Sequence, residues 1–120
     1  MIIDRWEYVR CTLIDIHDGD TITVNIDVGF RVTMMNMKLR LHGINAPELG
    51  RPGGAEARDY LKSLLIAPVV RIRTIQDRTE KFGRWLAIVF TDANPANPDE
   101  TVNDLMISSG HAVPYMTLQV

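Results

Sequence analysis

The chain is 120 residues long, with 46% hydrophobic residues, 23% charged residues and a formal net charge of -2, which suits one small core and leaves no length for a second domain. No apolar run approaches the roughly 20 residues that span a bilayer, and the single cysteine, Cys11, excludes an intrachain disulfide and a cysteine metal cage. We therefore expect one domain over residues 1–120, a monomer without membrane contact that is cytoplasmic unless a leader has been trimmed.

The basic residues are unevenly distributed along the chain. All 13 lie between Arg5 and Arg84, whereas the charged residues after Arg84 are all acids. A polyanion should therefore meet the first part of the chain. The slightly negative net charge argues against a protein that wraps nucleic acid by charge alone.

Three strands are predicted in the first part of the sequence. Apolar residues alternate from Tyr8 to Ile16 but change phase near the end, which indicates a strand with a bulge before an Asp-Gly-Asp turn. Ile22 to Ile26 forms the second strand, paired with the first as a hairpin. After a turn near Val28 and Gly29, the third strand presents Arg40 to the outside. Its predicted inward residues are Met35, Met37, Leu39 and Leu41.

Further along, the pattern alternates between loop, helix and strand. Asn45 to Gly54 is rich in proline and glycine and is predicted to be a long loop. Ala57 to Leu65 has apolar residues at helical spacing, which predicts an amphipathic helix. Val69 to Ile75 and Trp85 to Phe90 are predicted strands, separated by a charged loop.

A second helix is predicted near the end of the sequence. Thr101 and Asp104 have the spacing of a capping box, and Gly110 closes the helix. Five strands with one helix after the third and another after the fifth are typical of an α+β fold. The sequence therefore predicts a five-stranded OB-fold Greek-key β-barrel with two packed α-helices.

Several polar residues have the chemistry that phosphodiester cleavage requires. Arg40 and Arg84 are candidates to neutralise the phosphoryl oxygens, because a guanidinium group bonds two oxygens at once. Asp20 and Asn45 are candidate ligands for a hard cation such as Ca²⁺. Glu48 lies three residues after Asn45, and its carboxylate is the candidate base for the attacking water.

Each of these residues also has an ordinary structural explanation. Asp-Gly-Asp is common in hairpin turns, and Arg84 could be a solvated loop charge. Arg40 could likewise be solvated or pair with Glu48. Asn45 suits a turn as well as a ligand position. The three histidines lack the spacing of a zinc site.

Four stretches together resemble the staphylococcal nuclease (thermonuclease) family in order and spacing. They are DGDTITV from Asp18, RLHGINAPE from Arg40, KFGRWLA from Lys81 and VNDLMISSGHA from Val102. Four motifs in the right order are far more specific than any one of them. The resemblance covers most of residues 8 to 115.

This resemblance implies an enzyme and a metal. It implies a nuclease that cuts DNA and RNA with little sequence specificity and leaves 3′-phosphate ends, with Ca²⁺ as cofactor and Mg²⁺ or Mn²⁺ as alternatives. It further implies that Asp20 binds the metal through its carboxylate and Ala46 through its backbone carbonyl. Asp18 would hold a metal-bound water.

The resemblance also implies roles around the substrate. Arg40 and Arg84 would clamp the scissile phosphate, and Glu48 would act as the general base. An aromatic side chain in the nucleotide pocket can stack on a base without reading its identity. The residues near the pocket positions of the family are Lys81, Phe82 and Tyr115.

The sequence departs from the family pattern in three places. Asn45 stands where the family usually carries an aspartate, which removes one negative charge from the metal loop. Phe82 lacks the hydroxyl of a family tyrosine. The sequence reaches Val120 without the long C-terminal helix of several relatives, and we expect the fold to lack it. A second hypothesis is therefore a non-catalytic barrel module that binds nucleic acid or a protein partner.

Overall fold

The computed structural model describes residues 5–67, 69–76, 85–91 and 99–115. Within these residues, five strands close into a barrel and two helices pack against it, which confirms the predicted α+β fold. In chain order the elements are β1 (Arg5–Asp18), β2 (Thr21–Gly29), β3 (Val32–Leu41), β4 (Ile44–Asn45), α1 (Gly54–Leu64), β5 (Val69–Gln76), β6 (Trp85–Phe90), α2 (Val102–Ser108) and β7 (Val113–Pro114). The neighbours around the barrel follow the order β1, β2, β3, β6, β5.

Strand β1 closes the barrel because it pairs with two neighbours. Its Cys11 is the register partner of Ile26 in β2 and of Val70 in β5. The pairing with β2 shifts register between Leu13 and Asp15, where the change of alternation predicts a bulge. Bulges bend a strand and increase its twist, which lets a single strand turn between two sheet partners.

Strand β3 contains a bulge that the sequence pattern conceals. Val24 pairs with Met37 and Ile26 with Met34, so two residues of β3 face one of β2. Asn36 adopts a φ of 54° there, and its N–H donates to the side-chain oxygen of Asn25 at 2.8 Å. The extra residue reverses the alternation. The prediction that Met35 faces inward is therefore wrong, and this side chain is 61% exposed.

The turn between β2 and β3 lies one to two residues later than predicted. Phe30 and Arg31 occupy the turn, with φ angles of 56° and 61°, and Gly29 ends β2 with a φ of 86°. Side chains disfavour this left-handed region by about 1–2 kcal/mol per residue. Phe30 and Arg31 do not have the Asn-Gly pattern of such turns. The sequence pattern therefore predicts the turn at Gly29 instead.

The helices cover one end of the barrel and follow their predicted apolar faces. Ala57 and Leu61 of α1 are buried, as are Val102 and Met106 of α2. Thr101 caps α2, since its hydroxyl oxygen accepts the N–H of Asp104 at 3.1 Å. None of the helices in the described residues is long and apolar enough to cross a membrane. Among the described residues, the largest fully buried side chains are Ile22, Leu39, Leu41, Ile44, Leu61, Ile72, Leu86 and Met106.

Two features join elements that are distant in sequence. Strands β3 and β6 run parallel and share the register pairs Arg40 with Leu86 and Leu41 with Ala87. Strands β4 and β7 form a separate two-stranded sheet. The sequence predicts a loop at Asn45, whereas the structure has this short strand there. The pairing brings the segment after α2 next to the end of β3.

Candidate active site

The Asp-Gly-Asp turn between β1 and β2 packs tightly against two other segments. A Cβ atom on Gly19 would lie 2.8 Å from the Cβ of Ala46 and 2.8 Å from the Cβ of Ala57 in α1. A side chain at this position would clash with both, so glycine is required by close approach and not by its φ angle. The packing places the two flanking aspartates against the loop that follows β4.

Asp20 is buried and held by several hydrogen bonds. Its Oδ2 accepts the N–H of Ala46 at 2.9 Å, and its Oδ1 accepts the hydroxyl of Thr21 at 3.1 Å. Its own N–H donates to Oδ1 of Asp18 at 3.2 Å. Asp18 and Asp20 are only 7% and 5% exposed. Their side chains are thereby fixed next to each other at the closed end of the barrel.

Burial and the second carboxylate perturb the ionisation of Asp20. Burial is the largest cause and raises the pKa of Asp20, while the hydrogen bond from Ala46 lowers it. Asp18 raises this pKa further, and the positive charge of Arg40 lowers it in part. Two adjacent buried carboxylates are costly in water-poor surroundings unless a cation balances them.

Arg40 projects from β3 into this cluster, as the alternation of the strand predicts. Its Nη2 donates to Oδ1 of Asn45 at 3.0 Å and to the backbone oxygen of Ile44 at 3.4 Å. The same nitrogen lies 3.7 Å from Oδ2 of Asp20. Tyr115 covers the guanidinium, with 5.1 Å from Cζ to its ring centroid. Nη1 and Nε make no hydrogen bond to the described residues.

Asn45 is therefore placed beside Arg40. Its side-chain oxygen accepts from the guanidinium, and its backbone belongs to β4. Tyr115 reaches the same point because its N–H donates to the backbone oxygen of Gly43 at 2.8 Å, next to the pairing of β4 with β7. The sequence gives no sign of these contacts, since they depend on how the two short strands meet.

Glu48 lies apart from the aspartates among the described contacts. Its side chain is 79% exposed, and its Oε2 is 4.0 Å from Nε of Arg51. Its backbone is fixed, because the carbonyl of Glu48 accepts the N–H of Arg51 at 3.0 Å and that of Arg51 accepts the N–H of Gly54 at 2.9 Å. A Cβ on Gly54 would clash with the backbone of Glu48, and its distance to the carbonyl carbon would be 2.8 Å.

Three predicted site residues lie outside the described part of the chain: Lys81, Phe82 and Arg84. The description resumes at Trp85, and Leu86 is the register partner of Arg40. Two residues that contribute to the site were not predicted. Thr21 orients Asp20, and Gly54 allows the Glu48 loop to pack on α1. The sequence offered one signal for each of them: a glycine lies shortly before the predicted helix, and a hydroxyl residue directly follows the Asp-Gly-Asp turn.

The donor set is suited to a hard cation. Asp18 and Asp20 supply carboxylate oxygens, and the backbone of Ala46 lies next to them, as its N–H bond to Asp20 shows. Ca²⁺ prefers such oxygen ligands and accepts waters in the remaining positions. The described residues contain no cluster of three or more acidic, histidine or cysteine side chains, so this site would depend on backbone oxygens and water as well.

A small closed barrel of five strands with helices packed against it defines the class of OB-fold domains. The particular family follows from comparison of the sequence. The profile of the family described as "Staphylococcal nuclease homologue" matches residues 38–120, and the chain belongs to this family. The resemblance seen in the four motifs is thus confirmed.

Three individual proteins are similar to this chain, and two of them carry the name of a nuclease. The chain is 28% identical to "Micrococcal nuclease" of Shigella flexneri, over 94% of this chain and 62% of that protein. It is 30% identical to "Protein ParB" of Escherichia coli, over 92% of this chain and 59% of that protein. It is 24% identical to "Probable staphylococcal-like nuclease CAN3" of Oryza sativa subsp. japonica, over 98% of this chain and 31% of that protein. The chain thus spans at most about three fifths of the length of these relatives.

Proposed function

We propose that this protein is a metal-dependent nuclease that hydrolyses phosphodiester bonds of DNA and RNA with little sequence specificity. One observation supports this most directly: the buried Asp18 and Asp20 lie beside the guanidinium of Arg40, with 3.7 Å from Nη2 to Oδ2 of Asp20. A phosphodiester needs a cationic environment as charge develops on its phosphoryl oxygens. The family membership and the nuclease relatives support the same reaction.

Arg40 is the proposed phosphate clamp. Its anchored nitrogen, Nη2, is held by Asn45 and Ile44, so its other nitrogens are oriented without further loss of freedom. A guanidinium fork can donate two parallel hydrogen bonds to the phosphoryl oxygens and stabilise their charge in the transition state. Arg84 is the second proposed clamp, by resemblance alone.

The residues proposed to hold Ca²⁺ are Asp20, Asp18 and Ala46. Asn45 lies beside them and orients Arg40 through its side-chain oxygen. When bound, such a cation neutralises phosphoryl charge and lowers the pKa of water. Glu48 is proposed to accept the proton of the attacking water, since its exposed carboxylate can face a substrate that is bound at Arg40. Tyr115 lies on Arg40 and would line the nucleotide pocket with Lys81 and Phe82.

The test is a cleavage assay on single-stranded DNA, double-stranded DNA and RNA with Ca²⁺, Mg²⁺, Mn²⁺ or a chelator. We expect Arg40→Ala to lower kcat about 10²- to 10³-fold and Glu48→Gln to lower it about 10²-fold or more. Arg31→Ala is the matched control, because Arg31 lies in the exposed turn between β2 and β3. Folded wild-type protein that cleaves none of these substrates with any metal would refute the proposal and favour the non-catalytic module.

A further inference from the structure

The outer face of β3 carries a second cation in line with Arg40. Lys38 and Arg40 share this face, because the intervening Leu39 and the following Leu41 are fully buried. Residues two positions apart in an antiparallel strand, such as Lys38 and Arg40, are separated by about 7 Å along the strand. This is comparable to the separation of neighbouring phosphates along an extended nucleic-acid strand. Lys38 is exposed and makes no ion pair with the described residues.

The neighbouring strand β2 lines the same path with hydroxyl groups. Thr21 is the register partner of Arg40, and Thr23 is the register partner of Lys38. Both are half-buried, and the hydroxyl of Thr21 already contacts Asp20. The surface that leads along β3 away from Arg40 thus offers a cation at each of two successive levels. The hydroxyl of Thr23 lies at the second level, while the hydroxyl of Thr21 at the first level donates its proton to Asp20.

Besides the aspartates of the Asp-Gly-Asp turn next to Arg40 and Thr21, another acidic residue lies near this surface. Asp15 of β1 pairs with Thr23 on the side opposite to Lys38, so β2 separates the two charges. Two strand spacings correspond to about 10 Å, which is about one Debye length at 0.1 M salt. The carboxylate of Asp15 therefore weakens the attraction of Lys38 for an anion without neutralising it.

We propose that Lys38 binds the phosphate adjacent to the one held by Arg40, so that a polynucleotide runs from Arg40 along the outer face of β3 past Thr21 and Thr23. This proposal rests on the proposed function of Arg40. It gives the protein a binding position for one nucleotide beyond the scissile bond. Polymers then bind more tightly than a substrate with a single phosphodiester, and part of that gain depends on salt.

The kinetic test uses oligothymidylates with one, two and seven phosphodiesters. We expect Lys38→Gln to lower kcat/KM about three- to tenfold on the two longer substrates, through KM, and distinctly less on the dinucleotide. Lys62→Gln is the matched control, because Lys62 is an exposed lysine in the last turn of α1. An equal loss on all three substrates, or a Lys38→Gln variant that matches Lys62→Gln, would overturn the proposal.

A binding measurement separates this inference from the proposed function. Anisotropy of a labelled oligothymidylate with chelator present gives the slope of log Kd against log salt concentration. Loss of one phosphate contact in Lys38→Gln should reduce the magnitude of this slope by about 0.7, whereas Lys62→Gln should not change it. If wild-type protein cleaves nothing but only Lys38→Gln reduces the slope, the nuclease proposal fails and the phosphate contact stands. An unchanged slope in Lys38→Gln refutes the contact.

Discussion

The side chain of Asn103 is the most extensively bonded amide in the described residues. Its Nδ2 donates to the backbone oxygens of His42 and Ala87 at 2.9 and 3.0 Å, and its Oδ1 accepts the N–H of Val89 at 2.9 Å. It ties α2 to β6 and to the end of β3. Asn103→Ala would remove three hydrogen bonds, among them the one that the buried N–H of Val89 donates, and we expect the free energy of unfolding in urea to fall by about 2–4 kcal/mol.

Asn25→Ala is the graded control for that measurement. The side chain of Asn25 accepts one hydrogen bond, from Asn36 at 2.8 Å, in a solvent-exposed position. Its removal should cost less than half as much. Equal losses for both variants would show that Asn103 stabilises the protein no more than a surface amide does.

Cys11 should be chemically inert in the folded protein. Its side chain is fully buried, and burial raises the pKa of this thiol to about 11, with the negative charge of Asp27 acting in the same direction. Thiolate is the reactive species. We expect a disulfide reagent at pH 8 to react slowly with native protein and rapidly in urea. The folded form retains the proton longer than the unfolded chain, so stability should also fall as pH rises from about 9 towards 11. Rapid labelling of native protein would contradict both expectations.

At individual positions, the sequence could predict the chemistry of a side chain and the face of the strand on which it lies, but not the residues that it contacts. The alternation of β3 placed Arg40 outside the core, and the Asp-Gly-Asp turn placed two acids together. The hydrogen bond from Arg40 to Asn45 depends on the path of β4. The contact of Tyr115 with Arg40 joins positions far apart in the sequence, and no local pattern encodes such a distance.

At the level of elements, the start of α1 fixes the loop that carries Glu48. Gly54 is the first residue of the helix, and a Cβ there would lie against the Glu48 carbonyl and 3.1 Å from the Cα of Leu49. Gly54→Ala must therefore displace the loop. We expect kcat for cleavage to fall at least about tenfold, because small misplacements of catalytic groups are costly, with a loss of about 1–3 kcal/mol in unfolding free energy.

Ala55→Ser is the comparison for Gly54→Ala. Ala55 is the next residue of α1 and is exposed, so an added atom there should leave kcat and stability nearly unchanged. Full kcat in folded Gly54→Ala would mean that the loop adjusts without moving Glu48, or that Glu48 is not the base. Measuring Glu48→Gln in the same assay distinguishes these two explanations.

Strands and helices were predictable where one face is buried throughout. Ile22, Val24 and Ile26 of β2 keep a strict alternation and are all buried. The prediction fails at Met35, because the bulge at Asn36 adds one residue and reverses the faces. A bulge is set by pairing with a partner strand. The bulge in β1 changes the alternation of apolar residues and could be predicted, whereas the apolar residues on both sides of Asn36 in β3 keep an apparently regular alternation that hides the second one.

For the whole molecule, the five barrel strands and the two helices were predictable, but the short strands β4 and β7 and two long-range pairings were not. These are the parallel pairing of β3 with β6 and the antiparallel pairing of β4 with β7. Both join segments that are distant in the sequence. Short pairings carry little sequence signal of their own, and they form because the barrel brings their ends together. The family resemblance supplied the site residues that periodicity alone left undecided.

The acidic cluster should make the stability of the whole protein depend on metal. The pKa of Asp20 is raised, so the folded protein binds this proton more tightly than the unfolded chain. At neutral pH the ionised carboxylate therefore costs stability. With chelator present, we expect Asp20→Asn to unfold at higher temperature than wild type. Its amide can still accept the N–H of Ala46.

Addition of Ca²⁺ should reverse that order. A cation that binds only the folded state at ten times its Kd adds about 1.4 kcal/mol of stability, and Asp20→Asn should lose most of this gain. Asp27→Asn is the matched control, because Asp27 is near the far end of β2 and its carboxylate accepts the N–H of the neighbouring Gly29 at 2.9 Å. It should respond to Ca²⁺ as wild type does. Thermal unfolding with and without Ca²⁺ checks this, and an equal response of wild type and Asp20→Asn would place the metal elsewhere. If instead Asp20→Asn loses the gain from Ca²⁺, its higher stability without metal shows that this carboxylate is kept at a cost to folding, as expected of a residue that binds a cation.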